Sequence, residues 1–442
     1  MFKKTFFFMI ILSVLILGLA ACGNGENGTT GDPSDNDPGN ESGATDEKVI
    51  EFMHLWPEGS SAQHNAIVQK IVDEFEADNP GITVEMDIFG NEQYRERLSV
   101  IGAASELPDV GMTWGGGFIE SYARGNMFTD LSDLVTDSFI PGTAEAYAVD
   151  GGVYGLPLEL NITPVYYNTA IFEENGVEVP ETWEEFKQVV EVLVDNGVTP
   201  ITLGNRDAWT GSMWYMYLAD RIGGQTALND AISRESSFED PALIRAAAEL
   251  NELVEMGAFI NGFNGLGNDE AKGYFINEQA AMYLMATWDL PEWTTSPNNP
   301  EEFKEKIDYF KFPVVEGGEG GIDSYVGGPG VGLFVAEDSD VKDEAIEFVS
   351  YFIERWGEMS VEEAGVIPAT AVNTDGMDLP QMYIDVLNDL NEATNLTLYA
   401  DVQMSPSAAD THLNMIQAIM SGEVTPEEFA ERHEQALQAS EE

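Results

Sequence analysis

The sequence predicts an α/β protein of two lobes, and three observations carry that prediction. Behind Lys48, a strand-like run, an amphipathic stretch and a second strand-like run follow one another, the order of a β-α-β unit. Helix start signals recur far downstream, at Thr182, Asp240 and Thr425. The chain is 442 residues long, whereas single hydrophobic cores stop growing at about 250–300 residues.

The opening unit consists of Val49 to Trp56 as a strand, Ala62 to Asn79 as a helix with Ile67, Val68, Ile71, Val72 and Phe75 on its apolar face, and Ile82 to Phe89 as a second strand. Asn79-Pro80-Gly81 stops the helix. Thr182 with Glu185 forms a capping box ahead of Phe186, Val189, Val190 and Leu193, and Thr425, Pro426 and Glu428 repeat the signal. Asp240-Pro241 opens another helix, with Leu243, Ala247, Leu250 and Val254 on one face. Glycine-rich bends are expected at Gly115 to Gly117, Gly327 to Gly330 and Gly365. No internal repeat of fixed period is present.

The N-terminus reads as a secretory signal over residues 1–21, with Lys3 and Lys4 before an apolar stretch from Phe6 to Leu17 and small residues before the cut. That stretch falls short of the ~20 apolar residues a spanning helix needs. Leu19-Ala20-Ala21-Cys22 resembles the bacterial lipobox, which implies that Cys22, the sole cysteine, is lipidated and anchors the protein to the outer face of the cytoplasmic membrane. One cysteine allows no internal disulfide. Residues 22–47 form an acidic tether rich in Gly, Asn, Asp, Ser and Pro, unable to bury enough surface to fold. Asp32, Asp35 and Asp37 lack the closing Glu of a calcium loop and belong to that tether.

A formal net charge of −60 disfavours nucleic acid and anionic ligands. Acidic residues are spread along every segment, as expected of a hydrated exterior suited to high salt or alkaline medium. Catalytic signatures are missing: His54, His64, His412 and His433 stand in no metal-binding pattern, and there is no nucleophile elbow, phosphate loop or dinucleotide fingerprint. No metal or cofactor is expected. Carboxylate pairs for glycoside hydrolysis are uninformative among 79 acidic residues.

Aromatic residues say more. Sugar binding uses indole faces against the C–H side of a pyranose, with polar groups for each buried hydroxyl. Trp56, Trp114, Trp209 and Trp288 stand beside turn-forming, glycine or acidic residues, and Asp207 and Asp289 put an acceptor next to two of these rings. Trp183 and Trp356, on helices with apolar neighbours, read as core.

The segment YYNTAIFEENGVEVPETWEEF, Tyr166 to Phe186, resembles the extracellular sugar-binding proteins of ABC transporters. Leu107-Pro108-Asp109-Val110 with Trp114 and its glycines, Tyr154-Gly155-Leu156-Pro157, Phe275 with Ala280-Ala281-Met282, Trp288 and Gly365-Val366-Ile367-Pro368 continue the resemblance in the family's order. Gly204 to Gly224 and Asn268 to Trp293 are most similar to the raffinose and multiple-sugar lipoproteins among the family 1 solute-binding proteins. Asn277-Glu278-Gln279 and Ala286 depart from the family's glycines.

The resemblance implies a two-lobed periplasmic-binding-protein-like fold (type II) with the ligand in the interlobe cleft. Lobe 1 would comprise residues 48–160 and 328–366, and lobe 2 residues 161–327 and 367–442. Crossings are expected near Leu158 to Thr163, Val326 to Val331 and after Trp356. Trp56, Trp114, Trp209 and Trp288 become stacking platforms, with Trp293 a weaker fifth. Glu159, Asn161, Asp207, Asp289 and Asp401 become hydroxyl partners, Arg206 a bidentate donor, and Gly327, Gly328 and Pro329 points of close backbone approach. The implied partners are an oligosaccharide, delivered to the permease of an ABC transporter, and the membrane through the lipid alone. The protein is expected to be a monomer from a Gram-positive bacterium, without enzymatic activity. The rival readings are a surface glycoside hydrolase, the same fold with a peptide, polyamine or organophosphate ligand, and an adhesive surface protein.

Overall fold

A computed structural model of the chain describes residues 47–440. The expected signal segment, Cys22 and the expected tether through residue 46 lie outside the described residues.

Strand Lys48–His54 and strand Ile82–Ile88 pair in parallel from Lys48↔Ile82 to His54↔Ile88, with helix Ala62–Asp78 between them. All five predicted apolar positions of that helix are buried, because they fall on the stripe facing the sheet. The Asn79 N–H bonds the Phe75 carbonyl, and Gly81 turns the chain at φ 104°, where a Cβ would be strained.

The five-stranded sheet runs, by position, Ile82–Ile88, Lys48–His54, Val110–Thr113, Gly332–Val335 and Leu156–Pro157. Its fourth member comes from far along the chain and lies antiparallel to its neighbours. One hydrophobic core therefore gathers residues from Ile50 to Leu158 and from Val331 to Val366. A second core runs from Leu160 to Val326 and from Ile367 to Leu437, with Val361 joining it. Its three-stranded antiparallel sheet has Val165–Asn168 between Ile307–Phe310 and Met282–Leu284. Trp183 and Trp356 are both buried, as expected, the first stacked on Phe186 and the second on Phe352.

Where the chain passes between cores, Leu160–Ile162 lies antiparallel to Ser324–Pro329, which pairs on its other side with Asn395–Thr397. A third passage runs alongside: the Leu160 N–H bonds Ile367 O, and Glu159 bridges Pro368. The expected bend at Gly327 to Gly330 is largely strand instead. A Cβ on Gly327 would stand 2.2 Å from Asn161 O, so this glycine serves close pairing of the passing strands.

The capping boxes at Thr182/Glu185 and Thr425/Glu428 are formed in both directions, and the Asp240 side chain accepts from Ala242 N. On helix Pro241–Glu255, Leu253 takes the buried place expected for Val254, which is half-buried. Replacing Thr425 by Ala should cost about 1 kcal/mol in urea unfolding, since it strips the Glu428 N–H of its acceptor. An unchanged midpoint would show that helix Pro426–Ala439 is held by packing alone.

Candidate ligand-binding cleft

A cavity of about 590 Å³ lies between the two cores, within the range of small-molecule sites. From the first core it is lined by Leu55 to Pro57, Ser60, Ser61, His64, Gly90 to Gln93, Arg95 and Trp114. The second core contributes Arg206, Asp207, Trp209, Gly267 to Glu270, Lys272, Trp288, Asp289 and Glu292. Glu159, Gly330, Tyr399 and Asp401 close it where the chain passes between them.

Local structure sets the aromatic walls. Gly116 and Gly117 follow strand Val110–Thr113 and open helix Gly117–Arg124. A Cβ on Gly117 would lie 2.5 Å from Gln403 O, so these glycines let Trp114's loop press against the backbone before Met404. The Arg95 guanidinium stands 5.2 Å from the centre of the Trp114 ring. Trp209 is the first residue of helix Trp209–Gly223 and meets Trp288 edge to face at 6.0 Å. Trp288 sits in a 3₁₀ turn, 5.7 Å from Tyr399. These three rings are half-buried. Trp56 is 4 % exposed and stacks on Trp356 at 4.8 Å, so one of its faces is already covered.

The polar groups are largely paired. Glu159 meets His64 Nε2 at 3.0 Å, and Asp401 accepts from Arg95 Nη1 at 2.9 Å. Asp289 accepts from Lys272 Nζ at 2.9 Å and from the Tyr283 hydroxyl at 3.4 Å. Burial depresses the Lys272 ammonium, but Asp289, Glu292 and Asp269 outweigh it and hold its pKa above the usual value. The Trp209 Nε1–H donates to Glu92 Oε1 at 2.9 Å across the cleft. Burial, helped by Asp207, pushes Glu92 above the usual carboxylate range, and burial does the same to Asp269 and Glu292.

Beneath Ser212, which lines the cavity, lies a relay of neutral side chains. His433 Nδ1 donates to Phe429 O at 2.7 Å, so its Nε2 accepts from His412 Nδ1 at 2.8 Å. His412 Nε2 then accepts from the Ser212 hydroxyl at 2.6 Å. Burial pulls His412 down to about 3 and His433 well below its usual value. The four histidines, scattered in sequence, thus include one pair joined in space. Among the described residues no group of three or more His, Cys, Asp or Glu is arranged to hold a metal ion.

Of the residues singled out from sequence, Trp56, Trp114, Glu159, Arg206, Asp207, Trp209, Trp288, Asp289 and Asp401 reach the cavity wall. Arg206 lies at the rim, 56 % exposed, against Asp207 and Glu270. Asn161, Gly327 and Gly328 do not line the cavity. They lie in the paired passing strands, Gly328 opposite Asn161, and the Asn161 Oδ1 is taken by the Thr287 hydroxyl at 2.9 Å. Trp293 is buried among Tyr166, Phe275, Tyr283 and Phe303 in the second core. Sequence reasoning misses His64, Glu92, Arg95, Ser212, Asp269, Lys272, Glu292 and Tyr399. Glu92 and Arg95 carry no local signal beyond sharing one face of helix Asn91–Ala104.

Residues 58–355 match the family described as bacterial extracellular solute-binding protein. The multiple sugar-binding protein of Streptococcus mutans serotype c is 27% identical over 313 residues, 69% of this chain and 71% of that protein. A structure from work on xylan utilization by Caldanaerobius polysaccharolyticus is 29% identical with a TM-score of 0.82, covering 88% of this chain and 99% of that one. A chitin oligosaccharide binding protein shares the fold at 23% identity and a TM-score of 0.81, over 89% of this chain and 99% of its own. A solute-binding protein in complex with raffinose does so at 22% identity and 0.69, over 88% and 99%. With two cores around one lined cleft, and more than half of its length matched, this chain belongs to the bacterial extracellular solute-binding protein family.

Proposed function

We propose that the protein captures an oligosaccharide in the cleft by hinge closure and delivers it to the permease of an ABC transporter. The observation that carries this reading is the composition of the cleft: half-buried indoles from both walls, interleaved with carboxylates, amides and hydroxyls. Pyranose rings present an apolar face and a rim of hydroxyls, and such walls satisfy both. Trp114, Trp209 and Trp288 act as platforms, while Trp56, packed between Trp356 and His64, edges the cavity. Asp207, Asp289, Glu159 and Asp401 serve hydroxyls directly or through the side chains they hold. Binding of sugars by the Streptococcus mutans relative and by the solved neighbours points the same way.

The hinge lies in the three adjacent passages, with residues 48–160 and 328–366 moving against 161–327 and 367–442. A ligand favours closure only by the excess of its affinity for the closed form. Cys22 carries the lipid and residues 23–47 form the tether, which together keep a monomeric binding protein near its permease. Cys22→Ser should release the protein into the medium with sugar affinity unchanged.

A thermal-shift panel of xylotetraose, cellotetraose, maltotetraose, N-acetylchitotetraose and raffinose tests the reading. A sugar at 100 times its dissociation constant adds ~2.7 kcal/mol to stability and should raise the melting temperature by several degrees. A peptide or polyamine that does so while no sugar does would overturn it, as would release of cleavage products on incubation.

A further inference from the structure

We propose that the cleft is a charge filter, taking neutral or amine-bearing sugar chains and rejecting those that carry a uronic acid or another anionic group. This deepens the oligosaccharide reading and rests on it. Eight carboxylates and three cations line the cavity, and each cation is already committed. Lys272, 8 % exposed, lies 2.9 Å from Asp289, and Arg95 lies 2.9 Å from Asp401. Arg206 stands at the rim between Asp207 at 3.5 Å and Glu270 at 3.8 Å. The His64 imidazole is held by Glu159 at 3.0 Å.

Three other carboxylates, on both walls, make no ion pair among the described residues, although Lys272 and Arg95 stand near enough to act on them through space. Glu92, on the first wall, accepts from the Trp209 indole and the Asn91 amide. On the second wall Glu292 accepts from the Asn299 amide, and Asp269 has no cation within ion-pair distance among the described residues. Burial holds all three above the usual carboxylate range, so the site already strains to keep its own negative charge. A ligand carboxylate entering here would lose water, meet like charge from two sides, and find a cation only by displacing Asp289 or Asp401. Neutral hydroxyls instead find acceptors in abundance, and a protonated amine would find unpaired ones. The strongly acidic surface adds a longer-range barrier of the same sign, which salt screens.

Matched probes test this by calorimetry on the full-length protein. They are cellotetraose and its C6-oxidised uronate form, xylotetraose and its glucuronosyl-substituted form, and N-acetylchitotetraose and its deacetylated amine form. If cellotetraose or xylotetraose binds, its uronate counterpart should bind at least roughly 30-fold more weakly at low salt. The gap should narrow as salt is raised, and again in Glu92→Gln/Asp269→Asn/Glu292→Gln. If it is the N-acetylchitotetraose that binds, its amine form should bind within a few-fold or tighter. A uronate that binds as well as its neutral partner would overturn the filter while leaving the oligosaccharide reading intact. A gap indifferent to both salt and the carboxylate substitutions would mark a steric preference and overturn it equally. Salt dependence in the unsubstituted protein keeps the test decisive should the triple variant fold poorly. Failure of every probe, charged or neutral, would strike at the oligosaccharide reading itself.

Discussion

Trp288→Ala should weaken oligosaccharide binding roughly 10- to 100-fold, a loss of about 1.4–3 kcal/mol typical of an aromatic anchor in a binding site. The ring is half-buried, touches Trp209 on one side and Tyr399 on the other, and lines the cavity. Removing it leaves a hole in the wall of the cavity. Trp209→Ala should lose affinity to a similar extent for a double reason, since the indole proposed as a platform is also the hydrogen-bond donor to Glu92 across the cleft. Trp183→Ala separates binding from folding. That ring is 1 % exposed in the second core, so its loss should cost about 3–5 kcal/mol of stability. The folded fraction should still bind sugar as before. Calorimetric affinities beside thermal melts read both quantities, and an affinity loss larger for Trp183→Ala than for Trp288→Ala would sink the placement of the site.

The protein should also lose stability steeply between pH 6.5 and pH 4. Burial lowers His54 to about 4 and His412 to about 3, and holds His433 well below its usual value, with His412 beside it adding to the effect. In the unfolded chain each imidazole takes up a proton near pH 6.5, whereas the folded protein keeps them neutral. Stability from these groups is therefore complete above pH 6.5 and falls as pH drops toward the folded values. The loss is about 1.4 kcal/mol per pH unit for an independently titrating histidine such as His54. Over two units of acidification His54 alone would consume about 2.7 kcal/mol, and the buried His412–His433 pair adds to that loss in the same direction, a large share of the stability of many domains. Glu434, held at about 2 by Arg234, extends the loss below pH 4.5. Glu92, Asp220, Asp269 and Glu292, raised chiefly by burial, take up protons earlier when folded and offset part of it. Urea midpoints followed by circular dichroism across this range read the balance. A midpoint unchanged from pH 7 to pH 4.5 would show that the histidines are not buried neutral.

Much of this architecture is legible in the amino-acid sequence. The β-α-β opening follows from periodicity because its helix buries one stripe and shows the other to water. Thr182 and Thr425 announce their helices because a cap is a contact within a few residues of sequence. Trp114, Trp209 and Trp288 stand out because an indole beside glycine or a carboxylate is an unusual way to fill a core. The places where the structure departs from expectation are equally local in origin. Gly327 and Gly328 look like a bend near the ligand, yet their missing side chains serve the pairing of two strands 160 or more residues apart. Trp293 shares the neighbourhood of Trp288 in sequence, but falls on the inward side of helix Leu290–Thr294.

By itself, then, the sequence determined the α/β class, the helix boundaries that carry caps, the family resemblance and the aromatic candidates, since each depends on residues within a turn or two of one another. Only the tertiary structure decided which candidates share a cavity. It brought Glu92 to Trp209 and Arg95 to Asp401, and it joined Ser212, His412 and His433 into one relay. Those partners lie 21 to 306 positions apart. Glu92–Trp209 and Arg95–Asp401 meet because the two cores face each other across the cleft, and the relay forms because helices distant in sequence pack together within the second core. No local pattern encodes such a meeting, and the charge balance of the cleft is its consequence.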